Sequence, residues 1–265
     1  MHPNLLHIGH LELPTFGLLA ALGLMVALWL ALRCAPAAGL APDALWNATL
    51  FAVVAAFVLS RLILVGTNFR SFLSYPVLLL MLPSLTGLGL LLTAVATIVY
   101  LRVRGLPMAA VLDAWAAPAT LLWAFLALGH LAEGSDPGLP SRAPWAVRVG
   151  ADPDLQQPVG LIAAAAAAGL TVLLRRHLGR AHRPGMTAGL GLGLAGVVQF
   201  LLTFLRQPYP YAPDALNFLL DPIQFVALGM VVAGSLLYGL ALARTPSAVR
   251  LHVASEPPTA AGEAR

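Results

Sequence analysis

The chain has 265 residues, of which 59% are hydrophobic and 10% charged, against about a quarter charged in a soluble domain. This excludes an ordinary water-soluble globular protein and makes the chain an integral membrane protein. The net charge of +4 rests on 15 basic residues, all of them arginine, and arginines flanking apolar segments account for that balance without a nucleic-acid partner.

A hydrocarbon core of about 30 Å takes roughly 20 apolar residues per helix, and windows of that length predict an all-α protein with about seven transmembrane helices. The first covers residues 14–34. It begins too far in, and is followed by too many others, to be a cleaved signal peptide. It ends at Cys34, the single cysteine, which has no partner for an internal disulfide and is weak ground for catalysis or metal binding. The second, 44–66, holds Arg61 within an apolar segment. Ionisable groups are costly there and face the bundle interior or a headgroup, so headgroup binding and a structural ion pair both fit. The third spans 76–101 and the fourth 108–131; the fourth is the least regular, because Asp113 and Pro118 lie inside it. For Asp113 a helix cap or an interhelical hydrogen bond is expected.

A Gly-, Pro- and acid-rich stretch follows at 132–157, and long loops of this kind in compact proteins are more often functional than idle. The fifth helix, 158–175, contains the alanine run Ala163 to Ala168, and the sixth, 186–205, contains GLGLGLAG from Gly189 to Gly196. Both read as small-residue faces for close helix packing. A phosphate-cradling glycine loop would follow a strand. Arg206 and Gln207 end the sixth helix, as a phosphate contact or as interface markers, and the seventh covers 218–243. Residues 1–243 thus form one helical domain, and 244–265 form a small, polar, Pro-bearing tail expected to be disordered in the cytoplasm.

Taking the loops alternately, Arg33, Arg102, Arg104, Arg175, Arg176, Arg180, Arg183, Arg244, Arg250 and Arg265 fall on one side, against Arg70, Arg142, Arg148 and Arg206 on the other. The first set is expected in the cytoplasm, which puts the N-terminus outside and the C-terminus inside. Trp145, Tyr209 and Tyr211 then fit an aromatic belt at the outer boundary. His130 and Glu133 are three apart there and share a face if the fourth helix runs that far. They fit an acid–base pair or a polar cap. Two residues are too few for a metal site, so no metal and no cofactor are expected.

Several motifs, in order, carry a resemblance. The opening MHPNLLHIGHLELPTFG has His2, Pro3, Ile8, Gly9 and Gly17; SRLILVGTNF has Arg61; LDAWAAP has Asp113; Gly134, Gly138 and PWAV follow; then FLRQP at 204–208 and Gln224. Together, over about residues 1–243, these resemble the prolipoprotein diacylglyceryl transferases of bacterial inner membranes. The resemblance implies a seven-helix, multi-pass plasma-membrane protein. It also implies a phosphatidylglycerol-like phospholipid and prolipoprotein signal peptides as partners. The reaction implied is transfer of diacylglyceryl to a lipobox cysteine, forming a thioether and releasing glycerol phosphate.

The chain departs from that pattern where charge is needed. Phe16 replaces a tyrosine before Gly17. In the third helix Thr86, followed by Gly87, stands where the resemblance implies the histidine of a His-Gly-Gly element. Gln199 and Thr203 occupy an R-x-x-x-E pair. Matching Gly134 without gaps puts Ala127 at the arginine and Ser135 at the glutamate of a G-R-x-x-N-F-x-N-G-E run. A gapped match puts His130 at the arginine, and neither register restores it. Two readings follow. One is a transferase using His130 or Glu133 as base, with Arg61, Arg206 and Gln207 holding the phosphate. The other is a catalytically inactive lipid-binding or regulatory homologue. A small-molecule transporter is a distant alternative, since inverted repeats and paired broken helices are not evident.

Overall fold

The computed structural model describes residues 4–8, 11–69, 86–148, 154–180, 182–207 and 221–243. Among the described residues seven α-helices carry the fold: α1 (Thr15–Cys34), α2 (Pro42–Thr67), α3 (Gly87–Val103), α4 (Met108–Glu133), α5 (Val159–Leu178), α6 (Met186–Thr203) and α7 (Pro222–Ala243). Six are long and apolar enough to cross a membrane. The described part of the expected third span is the shorter α3; residues 76–85 of that span, Arg70, Tyr209, Tyr211 and the tail from 244 lie outside the described residues. The expected boundaries otherwise move by a few residues, with α5 ending at Leu178 rather than 175. Two short antiparallel pairs add to the helices: β1 (Asn4–Ile8) with β2 (Leu11–Pro14), and β3 (Val147–Arg148) with β4 (Leu155–Gln156).

Helix α4 is the central element, packing against α1, α5 and α6. Its ten buried residues include Val111, Asp113, Ala117, Ala124 and Ala127, whereas α2 buries only Leu45, Ala48 and Ser60, and α7 only Ala227, Gly234 and Ala241. Leu22, Trp29, Phe57, Leu201 and Leu236 are exposed, as expected of surfaces solvated by lipid tails. The core at one end joins Leu30, Leu45, Leu101, Val111 and Leu174 from five different helices.

Pro118 does not break α4, which runs continuously through it. Its ring removes one N–H from the ladder. Two residues on, the Thr120 hydroxyl donates to the Ala117 carbonyl at 2.9 Å and meets Thr171 of α5 at 2.9 Å, which ties α4 to α5. Trp115 Nε1 donates to Thr49 Oγ1 at 2.8 Å and ties α4 to α2.

Asp113, fully buried in α4, caps a different helix. Its Oδ2 accepts from the N–H of Gly185 at 2.6 Å and its Oδ1 from the N–H of Ala188 at 2.7 Å. These are the N-cap and third-residue donors of α6, the pair that a capping box satisfies from within its own helix. Gly185 has no side chain to serve and takes a φ of 99°, open to glycine and costly for other residues. His182 Nε2 approaches the same carboxylate at 3.6 Å, and His177 Nδ1 lies 2.9 Å from the buried Thr187 hydroxyl. The turn between α5 and α6 is therefore fastened to α4 through Asp113 and His182, and its flanking helices to each other through His177 and Thr187.

The α6–α7 pair meets backbone to backbone. A Cβ on Gly189 would lie 2.6 Å from the Tyr238 nitrogen, and one on Gly196 2.7 Å from the Ala227 oxygen. This is the small-residue packing expected of the glycine run.

Asp113→Ala would leave two N–H groups without their acceptor, at about 1–3 kcal/mol each. Thermal unfolding of the detergent-solubilised protein should show a fall of several degrees, with Asp113→Asn, which keeps one acceptor oxygen, in between. An unchanged midpoint in Asp113→Ala would contradict the capping role.

Candidate functional site

One face of α4 is not covered by neighbours, and grooves open on both flanks of it. On the α6–α7 side a cavity of about 440 Å³ is lined by Trp115, Thr120 and Trp123 of α4, Ala188 and Ala195 of α6 and Met230 of α7, among others. A second, of about 380 Å³, continues it past Trp123, Ala195 and Met230 to Gln199 and Ile223. On the α1–α2 side a cavity of about 290 Å³ runs along Leu24, Leu28, Thr49, Val53 and Leu122, again with Trp115. All three are apolar except for hydroxyls and Gln199.

His130 lies eleven residues after Ala119, which lines two of these cavities, and eleven residues of α-helix return to within about 20° of the same direction. The helix does continue through Glu133, but among the described residues no ion pair or hydrogen bond joins His130 to Glu133. Both are exposed. His130 Nδ1 instead meets Ser135 Oγ at 2.9 Å, and its ring lies 4.8 Å from the Phe16 ring. Gly129 permits this contact, since a Cβ there would fall 2.7 Å from Phe16 Cδ2. Three residues singled out separately in the sequence, Phe16, His130 and Ser135, thus come together at one end of the bundle.

Ala127 is only 5% exposed and packs with Val159, Ala163, Ala164 and Leu202. Gly160 of α5 presses on it so closely that a Cβ would lie 2.7 Å from the Ala127 carbonyl. An arginine side chain has no room in that seam. Of the two registers, the gapped one therefore leaves the corresponding position, His130, where a polar side chain reaches open space.

Thr86 is the N-cap of α3, its Oγ1 accepting from Gly89 N at 3.1 Å, and Gly87 is the first residue of that helix. Threonine is a favoured N-cap, so the residue at the expected histidine position has a structural partner. Arg61 is half-buried on α2, and its Nη1 is buried with no hydrogen-bond partner. Unpaired buried guanidinium nitrogen is expensive, and among the described residues nothing offsets it.

Arg206 pairs with Asp136 at 2.9 Å, and the Gln207 amide donates to the Gly138 carbonyl at 3.1 Å. With Leu139 N donating to Leu205 O at 2.8 Å, these contacts fasten the loop after α4 to the end of α6. Further along that loop Trp145 Nε1 donates to Gln157 Oε1, and Gln157 Nε2 to Ser141 Oγ. Thr203 Oγ1 donates to the Phe200 carbonyl at 2.6 Å and accepts from Gln224 Nε2 at 2.9 Å. Gln199, one turn earlier, lines the groove and makes no hydrogen bond among the described residues. Sequence reasoning missed the groove residues Trp123 and Met230. The signal was the spacing of Trp115, Ala119 and Trp123 at four-residue intervals on one helical face.

The family model of prolipoprotein diacylglyceryl transferase matches residues 3–240. Comparison with curated proteins gives no match.

The Thr203–Gln224 bond joins α6 to α7 beside the groove. In a double-mutant cycle of Thr203→Val and Gln224→Leu, measured by unfolding in detergent, we expect a coupling of about 0.5–1.5 kcal/mol. Strict additivity would remove the bond from the account of this site.

Proposed function

The chain belongs to the prolipoprotein diacylglyceryl transferase family, and from that membership we propose that it binds a phosphatidylglycerol-like phospholipid without transferring its diacylglyceryl group. The observation that carries this reading is the engagement of the altered positions. Thr86 caps α3 and Thr203 bonds Gln224, while the retained Arg206 is already paired with Asp136.

Diacylglyceryl transfer requires a base to take the proton of a thiol with an ordinary pKa of about 8.5. The thiolate sulfur then bonds to the glyceryl carbon as the C–O bond to phosphate breaks, and a cation must receive the leaving phosphate. General-base catalysis is worth roughly 10²–10⁴-fold and one well-placed electrostatic donor about 10²–10³-fold. A threonine hydroxyl supplies no base near neutral pH, and a guanidinium already paired with a carboxylate offers less charge to a phosphate. Binding demands less. Apolar grooves beside α4 suit acyl chains, and Arg61, with its unpartnered Nη1, suits an anionic headgroup. The protein in this reading is a multi-pass protein of the bacterial inner membrane, N-terminus outside, with prolipoprotein signal peptides as further partners. It serves as a lipid-binding or regulatory homologue.

One observation favours the second reading, a rewired transferase. His130 is held through Nδ1 by Ser135 at the end of the open face of α4, which leaves Nε2 as a site for a proton. Complementation separates the two. In cells depleted of their own prolipoprotein diacylglyceryl transferase, with the protein expressed and membrane-inserted, we expect mass spectrometry to find no diacylglyceryl on a reporter lipoprotein cysteine. Lipidation that disappears in His130→Ala and Arg61→Ala would overturn the inactive reading and establish the second.

A further inference from the structure

The groove between α4, α6 and α7 is continuous, because its two cavities share Trp123, Ala195 and Met230. Along α6 it runs from Ala188 to Gln199, eleven residues or roughly 16 Å of helix. Along α7 it runs from Leu237 to Ile223, roughly 21 Å by the same rise. Half of a 30 Å hydrocarbon core is about 15 Å, so the groove matches the depth of one leaflet. A membrane-spanning helix about 10 Å across and 30 Å long occupies about 2,400 Å³, several times either cavity at 440 and 380 Å³. Acyl chains fit the groove, and a signal-peptide helix does not.

The headgroup end selects further. Among the described residues, no ionisable residue lines either cavity. Thr120 is the polar group in the middle, and its hydroxyl is already bonded to Ala117 and Thr171. At the far end lies Gln199, with Thr203 and Gln224 satisfying each other one turn on. Arg206, the described cation that follows on the same chain segment, is held by Asp136 at 2.9 Å. Arg206 Nε is buried without a partner, but the guanidinium charge is shared with that carboxylate, so among the described residues a phosphate drawn to Gln199 would lose water without gaining an uncommitted counter-charge, which is unfavourable. A primary amide, by contrast, offers two donors and an acceptor, the complement of a hydroxyl.

We propose that the α4–α6–α7 groove binds a neutral, hydroxyl-bearing diacyl lipid of the diacylglycerol class, with its chains along Trp123 and Met230 and its hydroxyl on Gln199. The inference rests on the lipid-binding reading above and adds to it a site whose headgroup preference differs from that expected at Arg61.

The full chain in nanodiscs would be exposed to diacylglycerol carrying a diazirine in one acyl chain, and separately to phosphatidylglycerol with the same chain. Crosslinked peptides would be mapped by mass spectrometry. Diacylglycerol should label peptides of α6 and α7 about tenfold more than phosphatidylglycerol does. Gln199→Leu should lower that labelling about tenfold, and Met230→Trp, which fills the groove, should abolish it for either headgroup. If Gln199→Leu does not fold, the wild-type ratio and Met230→Trp still decide. Equal labelling by the two lipids, or labelling insensitive to both substitutions, overturns the proposal while leaving lipid binding intact. Absence of labelling by either lipid anywhere in the chain overturns lipid binding itself, and the complementation result bears on neither outcome.

Discussion

The carboxylate of Asp113 holds the arrangement on which the rest of this bundle depends. It lies inside α4, the helix that touches most of the others, and it completes the N-terminus of α6, 72 residues further along the chain. Two short charge-assisted bonds to backbone N–H groups fix both the depth and the rotation at which α6 begins. Because α7 packs on α6 through backbone contacts at Gly189, Gly196 and Gly234, fixing α6 also fixes α7. The groove between the three helices inherits its width from that chain of contacts.

Packing elsewhere follows from the solvent. Lipid tails are as apolar as leucine, so helix association gains little from burying leucine and depends on close approach and on hydrogen bonds between helices. The seams accordingly hold small residues: Gly23 against Phe125, Gly160 against Ala127, Gly89 against Ser60. Besides the bonds of Asp113, specific interhelical hydrogen bonds among the described residues include Trp115 to Thr49, Thr120 to Thr171, His177 to Thr187 and Gln224 to Thr203. Large side chains such as Phe57 and Leu236 face outward. A bundle built this way leaves gaps where large residues meet across a seam, and the grooves beside Trp115 and Trp123 are such gaps.

The altered family positions share one physical character. In the proposed reading, positions where the family's charge is replaced hold neutral groups with a local partner: Thr86 with Gly89 and Thr203 with Gln224. Leaving a single member of an ion pair buried is costly, whereas replacing both by neutral groups is not. Gln199 and Thr203 show that pattern together. In the proposed reading these replacements are mutually consistent, as in a site that keeps its shape while losing its field.

Much of this was legible in the sequence. Apolar runs of about 20 residues determined the membrane class and the helix order, because hydrocarbon leaves the backbone few alternatives to a helix. Motif order pointed to the family that the match over residues 3–240 shows, and the residue types at Thr86, Gln199 and Thr203 are the ground for the proposed loss of charge. The acidic residue inside the fourth helix was read as a cap or interhelical bond, but its partner was not, since the N-terminus of α6 has no side chain that advertises the need. By spacing His130 and Glu133 share a helix face and fit either an acid–base pair or a polar cap; in three dimensions His130 turns to Ser135 and Phe16. The burial of Ala127, which favours one register over the other, the pairing of Arg206 with Asp136, and the leaflet-deep groove ending at Gln199 belong to the tertiary structure alone. Local pattern sets which segments are helices and which residues they carry. Contacts between segments far apart in sequence depend on how those helices rotate and cross, which periodicity does not encode.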